Sequence, residues 1–235
     1  LILIGAAAVF CFLYPHKIVT AKNILKSHYF VYKGDKEYRK QNLYGAIKYY
    51  EAALRLYPGH ANASYNLGNL YSVYEDYQKA LAAYNQSLKY RPKYINARIA
   101  KGILLAQRFY EFAPAIKEYQ QAIDDMPHSI FIPFLFNNAE YIRINSGVAY
   151  YNMGLAYKYL SLLYGENEEG SKANLEKSVE AYKKALTYIK DNEDYYFNLA
   201  LDYQLLQTID IRNKNENNKK NYKLSKEAYC KCISL

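Results

Sequence analysis

Tryptophan is absent from the 235 residues, and cysteine and methionine are scarce, with three and two residues respectively. The 30 tyrosines therefore take places that other proteins fill with leucine or phenylalanine, and each hydroxyl requires water or a partner. Cys11 lies in an apolar run, and a helix would point Cys230 and Cys232 to different faces, which argues against a disulfide between them. One C-x-C with no histidine nearby is also a weak metal signal.

The usual signatures of catalysis and cofactor binding are missing too. The four histidines, His16, His28, His60 and His128, have no spacing that suits a metal site, and neither a G-x-x-x-x-G-K-[ST] nor a G-x-G-x-x-G motif occurs. His60 and His128 closely follow prolines, which predicts exposed turn positions. The sequence therefore predicts a protein with no catalytic residues, no metal, no cofactor and no small-molecule substrate.

The net charge of +9 is concentrated at the two ends of the chain. Residues 1–60 hold nine Lys or Arg against three Asp or Glu, and residues 212–235 hold seven against two. A nucleic-acid-binding protein would more naturally carry a basic stripe across its folded body. The distribution therefore predicts that the partners do not include nucleic acid.

The chain opens with LILIGAAAVFCFLYPHK, an apolar run that has no charged residue before Lys17. A spanning helix needs about 20 apolar residues, so the run is short, but a start at Leu1 leaves open that part of the anchor precedes it. A cleaved secretory signal is the alternative, although the small residues Ala6, Ala7 and Ala8 lie inside the run and the segment after it, YPHKIV, offers no A-x-A-like site. We predict a single-pass membrane anchor, with a bacterial inner membrane as the location and the side of the remaining domain open.

Residues 65–92, YNLGNLYSVYEDYQKALAAYNQSLKYRP, repeat a pattern already present at 31–58. Gly68 and Ala80 correspond to Gly34 and Ala46 in that earlier copy. The spacing of apolar and small residues predicts two helices in each unit, with the small residues where the helices approach each other. A proline, Pro58 or Pro92, ends each of these two copies, because it lacks an amide hydrogen and disfavours helix in the residue before it.

This pattern resembles the tetratricopeptide repeat family, whose W-x2-L-G-x2-Y…A-x3-F…P motif and whose repeat length these residues match. The resemblance implies an all-α fold, an α-solenoid in which about five hairpins form a right-handed superhelix, after the N-terminal transmembrane helix. The units at the C-terminal end contain polar inserts, predicted as loops or extended helix ends. The predicted segments are an anchor at 1–16, a basic juxtamembrane segment at 17–26, repeat units at 27–60, 61–94, 95–129, 147–192 and 193–235, and a non-repeat spacer at 130–146.

The first helix of each unit would line the concave groove. At one position of this helix, the sixth of the repeat, three units have asparagine: Asn66, Asn152 and Asn198. In this family an asparagine there contacts the main chain of a bound peptide, and the resemblance implies the same role here. The alternative is that these amides are solvent-exposed family residues without a ligand. The predicted partner-binding residues are Asn62, Tyr65, Asn66, Asn69, Tyr151, Asn152 and Asn198.

Taken together, the sequence predicts a non-catalytic, membrane-anchored scaffold that holds a peptide segment or a partner protein in its groove. Two other functions remain open at this point. One is a secreted or periplasmic accessory subunit of a cell-envelope or secretion assembly, formed after signal cleavage. The other is an enzyme whose catalytic domain lies beyond Leu235.

Overall fold

The computed structural model of the chain describes residues 15–126, 137–164 and 168–235. Within these ranges ten helices follow one another without a strand, which confirms the predicted all-α class. The helices are α1 Pro15–Arg39, α2 Leu43–Leu56, α3 Ala61–Val73, α4 Tyr77–Tyr90, α5 Ile95–Arg108, α6 Phe112–Asp124, α7 Asn137–Leu163, α8 Glu168–Tyr188, α9 Glu193–Arg212 and α10 Asn217–Ile233.

The chain divides into two compact units, with the division after Pro92. In the first unit α1 packs against α2 and α3 against α4, and α2 also contacts α3. In the second unit the pairs are α5 with α6, α7 with α8 and α9 with α10, and neighbouring pairs contact each other. Each unit is therefore a stack of helical hairpins, as the repeat predicts, while the right-handed superhelix stays a prediction.

Local sequence signals explain where the helices begin and end. The side chains of Asn42, Asp76 and Asn192 each accept a hydrogen bond from a backbone N–H in the first turn of α2, α4 and α9. At the other end, Tyr57 and Arg91 terminate α2 and α4 directly before a proline, with ψ angles of 91° and 80°. These extended conformations are what a following proline favours.

The turn inside four of the hairpins contains a residue with positive φ. Gln41, Glu75, Tyr110 and Lys214 have φ angles of 62°, 61°, 58° and 53°. The step from Gln41 to Glu75 equals the repeat period of the sequence. Tyr110 lies one position beyond a second such step, so the third unit is one residue longer up to its hairpin turn. The backbone thus repeats with the period that the sequence shows.

A glycine in the first helix of a hairpin lies against a buried tyrosine from the second helix. A Cβ atom placed on Gly68 would lie 2.6 Å from Cε1 of Tyr84, closer than packed atoms approach. Ala80, the other small residue of this hairpin, is fully buried. The same arrangement recurs in the pairs Gly34–Tyr50, Gly102–Tyr119 and Gly154–Tyr182.

Among the helices that the structure describes, none combines the length and apolarity that a membrane span requires. This finding contradicts the predicted single-pass membrane localisation and gives no support to the membrane as a partner. Residues 1–14, the apolar part of the predicted anchor, lie outside the described residues.

The segments between the less regular units are largely helical. The helix α7 begins at Asn137, inside the predicted 130–146 spacer, so the second part of that spacer lengthens the first helix of the fourth unit. The polar insert of the fifth unit extends α9 to Arg212 and starts α10 at Asn217. In the fifth unit the insert therefore forms two extended helix ends joined by a short turn at 213–216.

Candidate functional site

Two of the predicted binding residues in α3 line a cavity of about 350 Å³ in the first unit. This cavity, called the unit-1 cavity below, is bordered by Asp35, Tyr38, Arg39, Tyr50, Asn66 and Asn69. Its walls come from α1, α2 and α3, because helical periodicity turns these positions of neighbouring helices towards one another.

A hydrogen-bonded network centred on Asp35 forms one side of the unit-1 cavity. Tyr50 donates its hydroxyl hydrogen to Oδ1 of Asp35 at 2.6 Å. Nδ2 of Asn66 donates to the Tyr50 hydroxyl oxygen at 3.3 Å and to Oδ1 of Asp35 at 3.4 Å. Burial, followed by the hydrogen bond to Asp35, raises the pKa of Tyr50. The Asn66 amide nitrogen therefore links Tyr50 to Asp35, while the Asn66 side-chain oxygen is a further acceptor that this network does not use.

The other predicted residues of α3 also make contacts within the first unit. Oδ1 of Asn69 accepts a hydrogen bond from the hydroxyl of Tyr84 at 2.8 Å, so its amide nitrogen is the group left to donate. Asn62 is exposed and accepts from Nη1 of Arg91 at 3.3 Å. The ring centroid of Tyr65 lies 6.2 Å from that of Tyr84. Neither Asn62 nor Tyr65 borders the unit-1 cavity.

In the second unit the structure brings Tyr151 and Asn198 together. Nδ2 of Asn198 donates to the Tyr151 hydroxyl at 3.1 Å, and Oδ1 of Asn198 accepts from Nζ of Lys158 at 3.2 Å. The same Lys158 nitrogen lies 3.6 Å from Oδ1 of Asp202, a fully buried carboxyl that also accepts from the Ser178 hydroxyl. Burial raises the pKa of Asp202 to about 6, against the opposing effects of Ser178 and Lys158. Asn198 therefore belongs to a polar network that reaches into the core.

Asn152 lies apart from that network and borders a pocket of about 310 Å³, called the aromatic pocket below. The pocket is formed by residues of α5, α6 and α7 and the turn before α6, among them Gln107, Tyr110, Phe112, Leu155 and Tyr159. The rings of Phe112 and Tyr159 are nearly parallel, at 18°, with centroids 5.6 Å apart. Nδ2 of Asn152 donates to the carbonyl oxygen of Val148 at 2.8 Å.

No cluster of three or more potential metal ligands occurs in residues 15–126, 137–164 and 168–235. Cys230 and Cys232 are free thiols. His60, predicted to be exposed, is instead only 7% exposed, because its Nε2 lies 3.1 Å from Nδ1 of His28 and its Nδ1 accepts from Ala63 N. The burial and the nearby His28 lower the pKa of His60. His128 lies outside the described residues.

Sequence reasoning missed the groups that complete the two cavities. Asp35 occupies the same repeat position as Asn69, so extending the groove pattern to the first unit would have found it. The hydroxyl of Tyr50 reaches the unit-1 cavity only because of how its ring packs between the helices, which the sequence does not show. Phe112 and Tyr159 lie in different units of the repeat, and no sequence pattern connects them.

The stacked hairpins and their repeating turns define the class, a helical-repeat protein. Residues 61–94 match the family model described as Tetratricopeptide repeat, so the chain contains a repeat of that type. A curated relative, the UDP-N-acetylglucosamine–peptide N-acetylglucosaminyltransferase of Giardia intestinalis, is 30% identical over 70 residues, which cover 30% of this chain and 5% of that protein. The match thus spans a small fraction of that enzyme's length.

Solved structures show the same fold. MamA from Desulfovibrio magneticus RS-1 has a TM-score of 0.62 and 21% identity, with 89% of this chain and 94% of that chain covered. YrrB, a tetratricopeptide repeat protein with an unusual peptide-binding site, has a TM-score of 0.59 and 17% identity, covering 87% and 84%. PilW, a type IV pilus biogenesis factor, has a TM-score of 0.60 and 15% identity, covering 89% and 78%. At these identities the similarity establishes the tetratricopeptide-like fold alone.

Proposed function

We propose that this chain is a non-catalytic scaffold that binds an extended peptide segment of a partner protein in the unit-1 cavity. The observation that carries the proposal is the meeting of two side-chain amides, Asn66 and Asn69, with a carboxylate and a guanidinium on one cavity of about 350 Å³. Asp35 and Arg39 supply the two charges.

The chemistry of the unit-1 cavity suits a peptide main chain. Beside the charges of Asp35 and Arg39, its polar groups include the Asn66 oxygen, which accepts, and the Asn69 nitrogen, which donates. A main chain offers one N–H and one C=O per residue, so an acceptor and a donor on neighbouring turns of α3 match an extended segment. The network around Asp35 fixes the Asn66 side chain in advance, which lowers the entropic cost of binding.

The residues of the second unit remain part of the proposal as further contacts. Tyr151 and Asn198 hold each other by a hydrogen bond, and Asn152 borders the aromatic pocket. The fold similarity to YrrB supports a peptide as the class of ligand, but at 17% identity it transfers no site. The glycosyltransferase activity of the curated relative is not carried over, since 5% of that protein is matched.

The test is a selection of peptides from a fully randomised library displayed on phage, with the whole chain immobilised. Recovered peptides are then synthesised and titrated against the original chain and against Asn66→Ala and Asn69→Ala. Because one hydrogen bond contributes about 0.5 to 1.5 kcal/mol, each variant should weaken binding about two- to tenfold. Asn85→Ala is the matched control, an exposed amide on α4 that does not border the cavity.

Thermal unfolding of each variant shows whether a loss of affinity reflects a loss of fold. Unchanged affinity of every recovered peptide for the doubly substituted chain, Asn66→Ala with Asn69→Ala, would contradict the proposal. An equal fall in affinity with Asn85→Ala and with Asn66→Ala would also contradict it, because the loss of binding would then not depend on whether the residue borders the unit-1 cavity.

A further inference from the structure

We infer that the aromatic pocket of the second unit is a recognition site for an uncharged aromatic side chain carried by an extended peptide. The inference rests on the proposed function in taking the occupant to be a peptide, but it concerns a different pocket. Its walls are the rings of Phe112, Tyr110 and Tyr159, and its polar groups are the side-chain amides of Asn152 and Gln107.

The walls suit a flat ring. Phe112 and Tyr159 stack with centroids 5.6 Å apart, and Tyr110 meets Phe112 nearly edge-on, with centroids 6.5 Å apart. Aromatic side chains favour both arrangements, at centroid separations of about 4.5 to 7 Å. A further ring can therefore extend the cluster in the geometry that its members already adopt.

Solvent reaches this cluster, although its rings are large and apolar. Tyr110 is 72% exposed and Tyr159 is 48% exposed, whereas Phe112 between them is 7% exposed. The backbone at Tyr110 has a φ of 58°, a left-handed conformation that a residue with a Cβ adopts at a cost. The equivalent turn residues of three other hairpins that the structure describes, Gln41, Glu75 and Lys214, are polar or charged. The third unit therefore presents an aromatic ring where its counterparts present solvated side chains.

The charge of the pocket selects the kind of occupant. None of its nine lining residues is charged. A carboxylate or an ammonium group placed inside would lose hydration without gaining a counter-charge, and this desolvation would exclude it. The volume of about 310 Å³ is at the small end of the range for ligand pockets, which fits one side chain.

The amide of Asn152 favours a peptide as the carrier of that side chain. Its nitrogen is used by the carbonyl oxygen of Val148, which leaves Oδ1 of Asn152 as an acceptor for a main-chain N–H beside the bound ring. Gln107, an exposed residue at the edge of the same pocket, adds a donor and an acceptor. The site thus combines a ring-binding wall with main-chain contacts at its rim.

The absence of tryptophan from the chain allows a direct test. The probe is the tripeptide Gly-Trp-Gly with an acetylated N-terminus and an amidated C-terminus, whose tryptophan can be excited selectively. We expect saturable binding to the whole chain, with the emission maximum moving to shorter wavelength as the indole leaves water. The matched tripeptide with glutamate at its centre should not compete.

Three variants locate the bound probe. Tyr159→Ala should weaken binding about two- to tenfold, because one aromatic contact is removed. Tyr110→Gly should weaken binding while leaving the chain at least as stable, because glycine accepts the positive φ without strain. Tyr222→Ala is the control, since Tyr222 is an exposed tyrosine of the same unit away from the pocket, and its affinity should match the original.

Absence of saturable binding would overturn the inference, as would equal competition by the glutamate tripeptide. Unchanged affinity of a folded Tyr110→Gly variant would also overturn it. An affinity that falls with Asn66→Ala but not with Tyr110→Gly would assign the probe to the unit-1 cavity, which would reject this inference and leave the proposed function standing. An affinity that falls with Tyr110→Gly but not with Asn66→Ala would support the inference, whether or not a peptide also binds in the unit-1 cavity.

Discussion

Individual tyrosines have several different roles in this chain. Tyr50 and Tyr84 fill the space beside a glycine, and their hydroxyls then bond to Asp35 and Asn69, two polar residues that border the unit-1 cavity. Tyr110 and Tyr159 instead remain largely exposed. A phenol can do both because its ring packs while its hydroxyl bonds to a polar partner or to water.

At His60 the structure predicts that stability falls in mild acid. Nδ1 of His60 accepts a hydrogen bond from the Ala63 N–H, and its Nε2 lies beside His28, so the neutral ring fits the fold. The nearby carboxylate of Asp35 has the opposite effect, because its charge favours the protonated ring. Since folding lowers the pKa of His60, the unfolded chain takes up the proton at the higher pH. The stability is therefore complete above about pH 6.5 and declines as the pH falls below it.

Chemical denaturation at a series of pH values between about 5 and 7.5 measures this effect across the ordinary histidine pKa. In His60→Asn the cap is kept, because asparagine is a favourable residue at a helix N-terminus, and the titrating ring is removed. The pH dependence of that variant should be smaller, with the other three histidines unchanged. An identical slope in both proteins would show that His60 does not titrate as its burial requires.

At the scale of the helices, the contact between Gly68 and Tyr84 predicts that a side chain at position 68 separates α3 from α4. In Gly68→Leu the added atoms would enter the space of the Tyr84 ring, since even a Cβ would lie 2.6 Å from it. Overpacking of this kind should lower the free energy of unfolding by about 1 to 3 kcal/mol.

The control is Ala82→Leu, which introduces the same side chain at an exposed position of α4 and should have little effect. Denaturant titration followed by circular dichroism compares the two. Equal midpoints for Gly68→Leu and the original chain would mean that the ring of Tyr84 moves aside without cost, and the close approach of the two helices would then not need glycine.

For the whole molecule, the buried tyrosines predict cooperative unfolding in alkali. Burial raises the pKa of Tyr119 and Tyr182, and burial together with the bond to Asp35 raises that of Tyr50. Tyrosine hydroxyls of the unfolded chain ionise near pH 10. The buried neutral hydroxyls therefore contribute stability to the fold below that pH, and this contribution is lost as the pH rises above it. Tyrosinate absorbance should therefore rise in two steps, the second together with the loss of helix.

Tyr119→Phe removes one of these hydroxyls and keeps the ring, so its helix should persist to a higher pH. Absorbance and circular dichroism recorded on the same samples give both quantities. A single absorbance step near pH 10 with the helical signal intact would show that the buried hydroxyls reach water in the folded state, contrary to their environment.

The sequence by itself determined the helices and their pairing. Gly68, Ala80 and Pro92 each recur one repeat period after a counterpart of the same type, and such local periodicity decides which residues share a helix face and where a helix stops. The apolar opening, judged in the same way, led to a membrane localisation that the described helices contradict. The buried environment of His60 was also missed, because the residue that contacts it, His28, lies 32 residues earlier in the sequence, on a different helix.

Only the tertiary structure decided which residues form the unit-1 cavity and the aromatic pocket. The asparagines of α3 could be selected by position, but the meeting of Asn66 with Asp35 and Tyr50 depends on the distances between three helices. The aromatic pocket likewise exists because the ring of Tyr159 in α7 stacks on that of Phe112 in α6. Periodicity fixes the direction of a side chain on its own helix, whereas contacts across helices depend on how the cores pack.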